Sequence, residues 1–216
     1  MQAENSELTK EKTLRILLIG HTGTVGSNVA STLAARGHEV LGASRKTDPA
    51  LDISDQASIE AYFAEARAKG DLFDAIAIAS GNAPFKPLAE LKAADFAVAL
   101  GSKGLGQISI VQEATNLLVD NGSFTLISGI LSEHPVPDGI AASTANAVVD
   151  TFVRTAAGAL PRGLRINSVS PNLLAESWQA YGPSFPGYTA VPARLVAEAY
   201  VRSIEGIDTG QVLKVW

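Results

Sequence analysis

Leu14-Arg15-Ile16-Leu17-Leu18-Ile19 runs without a break into Gly20-His21-Thr22-Gly23-Thr24-Val25-Gly26. An apolar run with so little alternation reads as a strand buried on both faces. Gly20 lets the chain turn sharply at the strand end. Gly23 and Gly26 remove the Cβ atoms that would hold the backbone and the next helix away from a ligand. A helix starting near Thr24 points its free N–H groups and positive dipole end into that turn. Strand, glycine turn and helix in this order form a cradle for the pyrophosphate of a dinucleotide. Gly20, Thr22, Gly23, Thr24, Val25 and Gly26 are its expected walls.

Outward from this stretch, apolar runs alternate with helical patterns. Strands are expected over 14–20, 39–44, 73–79, 123–128, 164–170 and 211–215. Helices are expected over 24–36, from 54 to about 69, 95–119, 140–160 and 192–205, with a loop and a turn of helix over 85–91. Gly37 and Gly70 stop the first two helices. Strands alternating with helices give right-handed crossovers, and hence one α/β domain with a doubly wound parallel sheet covered on both faces. No internal repeat or linker divides residues 13–216, and the polar stretch 1–12 reads as a flexible tail.

Composition narrows the chemistry. The 216 residues are 46% hydrophobic, enough for one well-buried core. There is no cysteine, so disulfides, thiolate catalysis and cysteine zinc sites are excluded. The histidines at 21, 38 and 134 lack metal-ligand spacing, and no metal is expected. Seventeen basic and 22 acidic residues give a net charge of −5, which argues against a nucleic-acid surface. No apolar run approaches membrane-spanning length, so no membrane partner and a cytoplasmic location are expected.

Further signals fall where such a sheet binds ligands, at the carboxyl ends of its strands. The second strand ends in Ser44-Arg45-Lys46, with no acid to accept ribose hydroxyls. An arginine there offers a planar fork to a 2′-phosphate. Asp52 and Ile53 suit an adenine edge. Ala79-Ser80-Gly81 are small enough for a cofactor to lie against their backbone. Arg165-Ile166-Asn167-Ser168-Val169-Ser170-Pro171-Asn172 closes a later strand.

Together these motifs resemble the short-chain dehydrogenase/reductase family from about residue 13 to Trp216. The resemblance implies a Rossmann-type fold and an NADP(H) cofactor. It places Gly20, Gly23 and Gly26 at the cofactor glycines, Arg45 at the NADP(H) signal, and Asp52 and Ile53 at the adenine pair. Ala79, Ser80 and Gly81 match the family's Asn-Ala-Gly motif with its Asn replaced. Ser170 and Pro171 match the segment near the nicotinamide, with Asn172 standing where Gly is usual. Gly210-Gln211-Val212-Leu213 match the terminal strand.

The resemblance fails at the catalytic corner. Ala142 stands at the family's Tyr position, Asn146 at its Lys position and Gly129 at its Ser position. Alanine transfers no proton, and neutral Asn146 can hold a ribose without stabilising a phenolate. Three residues are candidates for the missing catalytic functions. With the family's downstream Gly aligned on Gly106, Lys103 stands where the family carries an Asn. Alignment on Gly104 puts Gly101 there, with poorer register over Ile110-Val111-Gln112. Lys103 can act as acid or oxyanion partner in a dry cleft. Ser128 can polarise a carbonyl, and His134 lies in the following loop. The aromatic-rich segment 173–188 is expected to cover the substrate.

The resulting expectation is an NADP(H)-dependent oxidoreductase acting on a small carbonyl or alcohol substrate. The alternatives are a cofactor-bound regulatory protein without turnover, or a non-redox isomerase or lyase on the same fold. The resemblance also implies a homodimer or homotetramer paired through the helices at 95–119 and 140–160.

Overall fold

The computed structural model describes residues 12–216. The expected tail lies outside them except for Lys12, whose ammonium donates to Asp74 at 2.6 Å. Six strands form one parallel sheet: β1 (Arg15–Ile19), β2 (Glu39–Ala43), β3 (Phe73–Ile78), β4 (Leu118–Ile127), β5 (Arg165–Pro171) and β6 (Val212–Val215). Their order is β2-β1-β3-β4-β5-β6. The chain steps outward from β1 to β2, then returns past β1 to β3. The order therefore reverses at the β1/β3 boundary, where connections leave to opposite faces and a crevice opens at the strand ends.

The helices are α1 (Thr24–Ala35), α2 (Gln56–Lys69), α3 (Ala93–Ala99), α4 (Gly106–Ala114), α5 (Ile140–Ala156), α6 (Trp178–Tyr181) and α7 (Ala193–Glu205). One face of the sheet is covered by Ile59 and Phe63 of α2, Ile110 and Val111 of α4, and Val149 and Val153 of α5. Val29 and Leu33 of α1 and Val196, Tyr200 and Ile204 of α7 cover the other. Local chemistry sets the boundaries. The Asp55 carboxylate accepts from the Ala57 amide to start α2, and Gly70 ends it at φ 71°. Arg165 donates to the carbonyls of Ser203 and Ile204, closing the carboxyl end of α7.

Three expected elements differ. The single helix over 95–119 is broken into α3, a π-helical stretch (Leu100–Leu105) and α4, with a 3₁₀ turn at Thr115–Leu117. Gly101 and Gly104 weaken the regular ladder there. Ser102 Oγ reaches back to the Val98 carbonyl and across to the Asn82 backbone, fixing the wider turn. β4 begins earlier than residue 123: it pairs Phe73 with Leu118, then shifts register before Ala75 meets Ser123. Asn121 at φ 64° takes up the extra length. The helix expected over 140–160 ends as α5 at Ala156.

Candidate functional site

A cleft of about 750 Å³ opens at the β1/β3 crevice. Gly20, Thr22, Gly23, Ser44, Arg45, Asp52, Ile53, Ser80 and Gly81 line it, joined by Asn82, Val98, Gly101 and Ser102. Val98, Gly101 and Ser102 reach the cleft from the interrupted helix, whose break leaves no cofactor motif in the sequence.

The glycine turn is built by close approach. Gly20 sits at φ 85°, and a Cβ there would stand 2.7 Å from the Ala79 carbonyl oxygen and 2.8 Å from Ser80 Cβ. Ala79 therefore acts as the wall on which Gly20 turns, and its amide donates to Ile19 at 2.8 Å. A Cβ on Gly26 would run into the Gly20 carbonyl, so Gly26 is what brings α1 against the turn. Val25 is buried between α1 and the sheet. Gly23 caps α1 without a side-chain bond, leaving first-turn amides of Thr24, Val25 and Gly26 directed at the turn. This cradle, with its open glycine backbone and helix end, fits the phosphates of a dinucleotide.

At the other end of the cleft, Ser44 Oγ accepts from the Lys46 amide and the Ser44 amide donates to Thr47. These bonds form a tight turn that presents Arg45, exposed, to the cleft. Asp52 Oδ1 accepts from the hydroxyl and amide of Ser54 at 2.6 and 2.9 Å. Those bonds, with the field of Arg45, hold its carboxyl below the usual range. Ile53 lies against the interrupted helix, where Gly106 leaves room for its carbonyl.

Beyond the cleft stand Ser128, Gly129 and Asn146. Asn146 is 2% exposed and donates to the Gly129 carbonyl at 3.2 Å. A side chain at 129 would press on Asn146 Nδ2 at 3.0 Å, so Gly129 and Asn146 fit one another. Ser128 is buried at the end of β4, and its amide donates to Val169 of β5. The oxygens Ser128 Oγ, Ser143 Oγ, Asn146 Oδ1 and Ser170 Oγ are buried without a hydrogen-bond partner. Pro171 ends β5 beside them.

Lys103 is half-buried in the π-helical stretch, its side chain against Gly81. Gln107, fully buried, donates to the Lys103 and Ile127 carbonyls and accepts from the Ile127 amide. Lys103 is thereby anchored to the end of β4. Burial lowers its ammonium to about 8, against the opposing pull of Asp150.

Ala142 joins a separate apolar cluster with Leu131, Phe85, Phe185 and Tyr188. Phe85 meets Tyr181 edge-on at 5.5 Å and stacks on Phe185 at 6.1 Å, closing 173–188 down as an aromatic cover. Asn172 pins it by donating to the Thr189 carbonyl at 2.8 Å. His134 is exposed on the rim, its ring edge-on to Trp216 at 5.0 Å. Tyr188 Oη donates to the His134 carbonyl at 3.0 Å. Among the described residues no contact joins His134 to Ser128 or Lys103. No group of His, Cys, Asp and Glu among them could hold a metal ion, and no helix among them is long and apolar enough to cross a membrane.

Known proteins share this architecture. The protein lin1944 from Listeria innocua is 42% identical, with a TM-score of 0.88 over 94% of this chain and 100% of its own. A small-chain dehydrogenase solved in complex with NADPH is 26% identical, with a TM-score of 0.82 over 94% of this chain and 97% of its own. Polyketide synthase GfsA from Streptomyces halstedii is 29% identical over 157 residues, 63% of this chain. The chain spans about 2% of the length of that synthase. A family model described as enoyl-(acyl carrier protein) reductase matches residues 20–191, which run from the glycine turn to the end of the aromatic cover. With that match and these solved relatives, the chain belongs to the short-chain dehydrogenase/reductase family.

Proposed function

We propose that this protein is an NADP(H)-dependent oxidoreductase that transfers hydride to or from a small carbonyl or alcohol substrate. The observation that carries the reading is Arg45 at the cleft margin with no acid at the end of β2. Its guanidinium makes no hydrogen bond or ion pair among the described residues. A 2′-phosphate would meet a planar cation there, with no carboxylate at the strand end itself to repel it. The NADPH complex of a 26% identical relative supports the same preference.

The glycine turn and the first amides of α1 would hold the pyrophosphate, and Ser44 and Arg45 the 2′-phosphate. Asp52 and Ile53 would meet the adenine. Ala79, Ser80 and Gly81 would line the path of the chain, Asn146 would hold ribose, and Pro171 would approach the nicotinamide. A nicotinamide held there would supply or accept the hydride. Lys103 Nζ would give a proton to the substrate oxygen and regain one from solvent. Ser128 Oγ offers that oxygen a second donor. Lys103 from one helix and Asn146 from the facing one thus exchange the residue types the family resemblance implies for these positions.

A second reading is favoured by Ala142, whose methyl group transfers no proton and which packs in an apolar cluster. In it the protein holds NADP(H) without turnover, or runs a non-redox isomerisation or elimination in the same pocket. We also propose a homodimer or homotetramer built on α4 and α5. The groove between them, about 340 Å³ and mostly apolar, presents Val111, Phe152, Ala156 and Leu160.

Fluorescence titration with NADPH and NADH, followed by a carbonyl panel, tests the main reading. Tight NADPH binding that Arg45→Ala weakens at least tenfold, with oxidation on one carbonyl, is the expected result. Product formation with no change in cofactor redox state would establish the non-redox enzyme. Failure to bind either nucleotide would end every cofactor-based reading.

A further inference from the structure

We propose that the protein carries a second ligand site, on the α2 side of the turn that presents Arg45, which takes a small organic cation: one ammonium on a compact apolar body. A cavity of about 200 Å³ lies there. Tyr62, Glu65, Ala66 and Lys69 recur at helical spacing, so the second half of α2 turns one face into it. Leu17, Leu41 and Phe73 supply an apolar floor from β1, β2 and β3. Thr47, Asp48 and Pro49 form a further wall, and no residue lines both this cavity and the cofactor cleft. Thr47 holds that wall in shape. Its Oγ1 accepts from the Ser44 amide at 2.9 Å and lies 2.7 and 2.9 Å from the Ser44 and Pro49 carbonyls. One turn thus presents Arg45 to the cleft and Asp48 to the second cavity.

The charges lining the cavity are Arg15, Lys69, Asp48, Glu65 and Asp71. Arg15 is committed. It donates to Asp71 at 2.9 Å and to the Leu72 carbonyl at 2.9 Å, and its guanidinium covers the Phe73 ring 5.0 Å from the centroid. Lys69 is committed to Glu65, one helical turn back, at 2.6 Å. Those two pairs leave the Asp48 carboxylate. It has no hydrogen bond or ion pair among the described residues, although its field reaches Lys69. Tyr62 Oη likewise has no hydrogen bond among them, while its ring packs edge-on to Phe63 at 5.2 Å. Burial, with Asp71 and Glu65 beside it, pushes that phenol up, so it stays a neutral hydroxyl able to accept.

This arrangement selects the ligand. An anion would meet two cations already paired, beside a surplus carboxylate. A wholly apolar molecule would take Asp48 and Tyr62 Oη out of water and give them no partner in return. An ammonium answers both groups. It donates to the carboxylate and the hydroxyl while its carbon body replaces water over Leu17, Leu41 and Phe73. The volume matches about seven water-sized groups, so the body is one small ring or a short chain.

The test is amide NMR on the nitrogen-15-labelled full-length chain at neutral pH. Cyclohexylammonium is the probe, and cyclohexanol is the neutral molecule of the same shape. The expected result is saturable shifts at Thr47, Asp48, Tyr62 and Lys69, with Gly20 and Gly23 of the cofactor cleft unmoved. Cyclohexylammonium should bind about threefold or more tightly than cyclohexanol. Asp48→Asn should bring the two probes to equal affinity. Asp48 is exposed, and its replacement costs no bond among the described residues, so that variant keeps the fold. The comparison of the two probes on the parent chain needs no variant. Absence of saturable shifts at those four amides overturns the proposal, as do shifts confined to the cofactor cleft. Cyclohexanol binding as tightly as the cation overturns it too, and so does a preference for the cation that survives Asp48→Asn.

Discussion

Gly81 lies directly against Lys103: a Cβ on Gly81 would stand 3.0 Å from Lys103 Cγ and 3.1 Å from its Cβ. Gly81 also adopts φ 139°, a backbone region that side chains rarely occupy. The glycine of the cofactor loop and the lysine of the interrupted helix are therefore one packing unit. Gly81→Ala should destabilise the fold by about 1–3 kcal/mol and weaken NADPH binding, because both the loop and Lys103 must move. Thermal unfolding and nucleotide titration on the same preparation check this, and unchanged NADPH affinity would contradict it.

Lys103 leaves a mark on stability with a definite sign. Burial brings its ammonium down to about 8 in the folded protein, below its ordinary value of 10.5. Between those two values the unfolded chain binds more protons than the folded one, so stability rises with pH there. Below that window the full cost of burying the charge is present. Lys103→Met should therefore stabilise the protein at neutral pH, with an advantage that shrinks as pH rises through the window. Urea unfolding at neutral and alkaline pH measures it. A Met variant no more stable than the parent at neutral pH would contradict this.

Gly106 ties the interrupted helix to the adenine end of the cleft. A Cβ there would collide with the Ile53 carbonyl, a backbone atom that cannot rotate aside. Gly106→Ala should cost about 1–3 kcal/mol through overpacking and displace Asp52 and Ile53. Loss of affinity for 2′,5′-ADP, which probes only the adenosine half, would report that displacement.

Tyr200 anchors the strand that carries Ala79, Ser80 and Gly81. Its hydroxyl donates to the Ile78 carbonyl at 2.6 Å from a fully buried ring. Tyr200→Phe should cost about 1–3 kcal/mol by leaving that carbonyl without its partner. Burial pushes the phenol far above its usual range, so it stays neutral and the loss should be flat from about pH 6 to 9. Denaturant midpoints across that range provide the measurement.

The cleft was legible because its parts are local. Gly20, Gly23 and Gly26 carry a turn chemistry visible in seven consecutive residues. Arg45, Asp52 and Ser80 follow strands whose apolar runs mark their ends, and all three line the cleft. The strand order and the shifted register at the start of β4 were not legible. Both depend on which strands meet, and pairing partners leave no mark on a single run of sequence.

Sequence by itself determined the alternation of strands and helices, the strand–turn–helix cradle, and the identities of Ala142 and Asn146. Periodicity, glycine freedom and residue identity are properties of short segments, and they survive any arrangement of the rest. Only the tertiary structure decided that the long helix breaks at Leu100–Leu105 and turns Lys103 against Gly81. It also decided that Ser132, Asp150 and Ser168 close around one carboxylate. A π-helical break needs Ser102 bonded to Asn82 and Gln107 bonded to β4, contacts twenty residues apart in the chain. The Asp150 carboxylate meets its two hydroxyl donors only after the sheet has brought β5, α5 and the turn after β4 together. Such bonds are selected by the packed core, where an unsatisfied polar group is costly, and not by the propensity of any one segment.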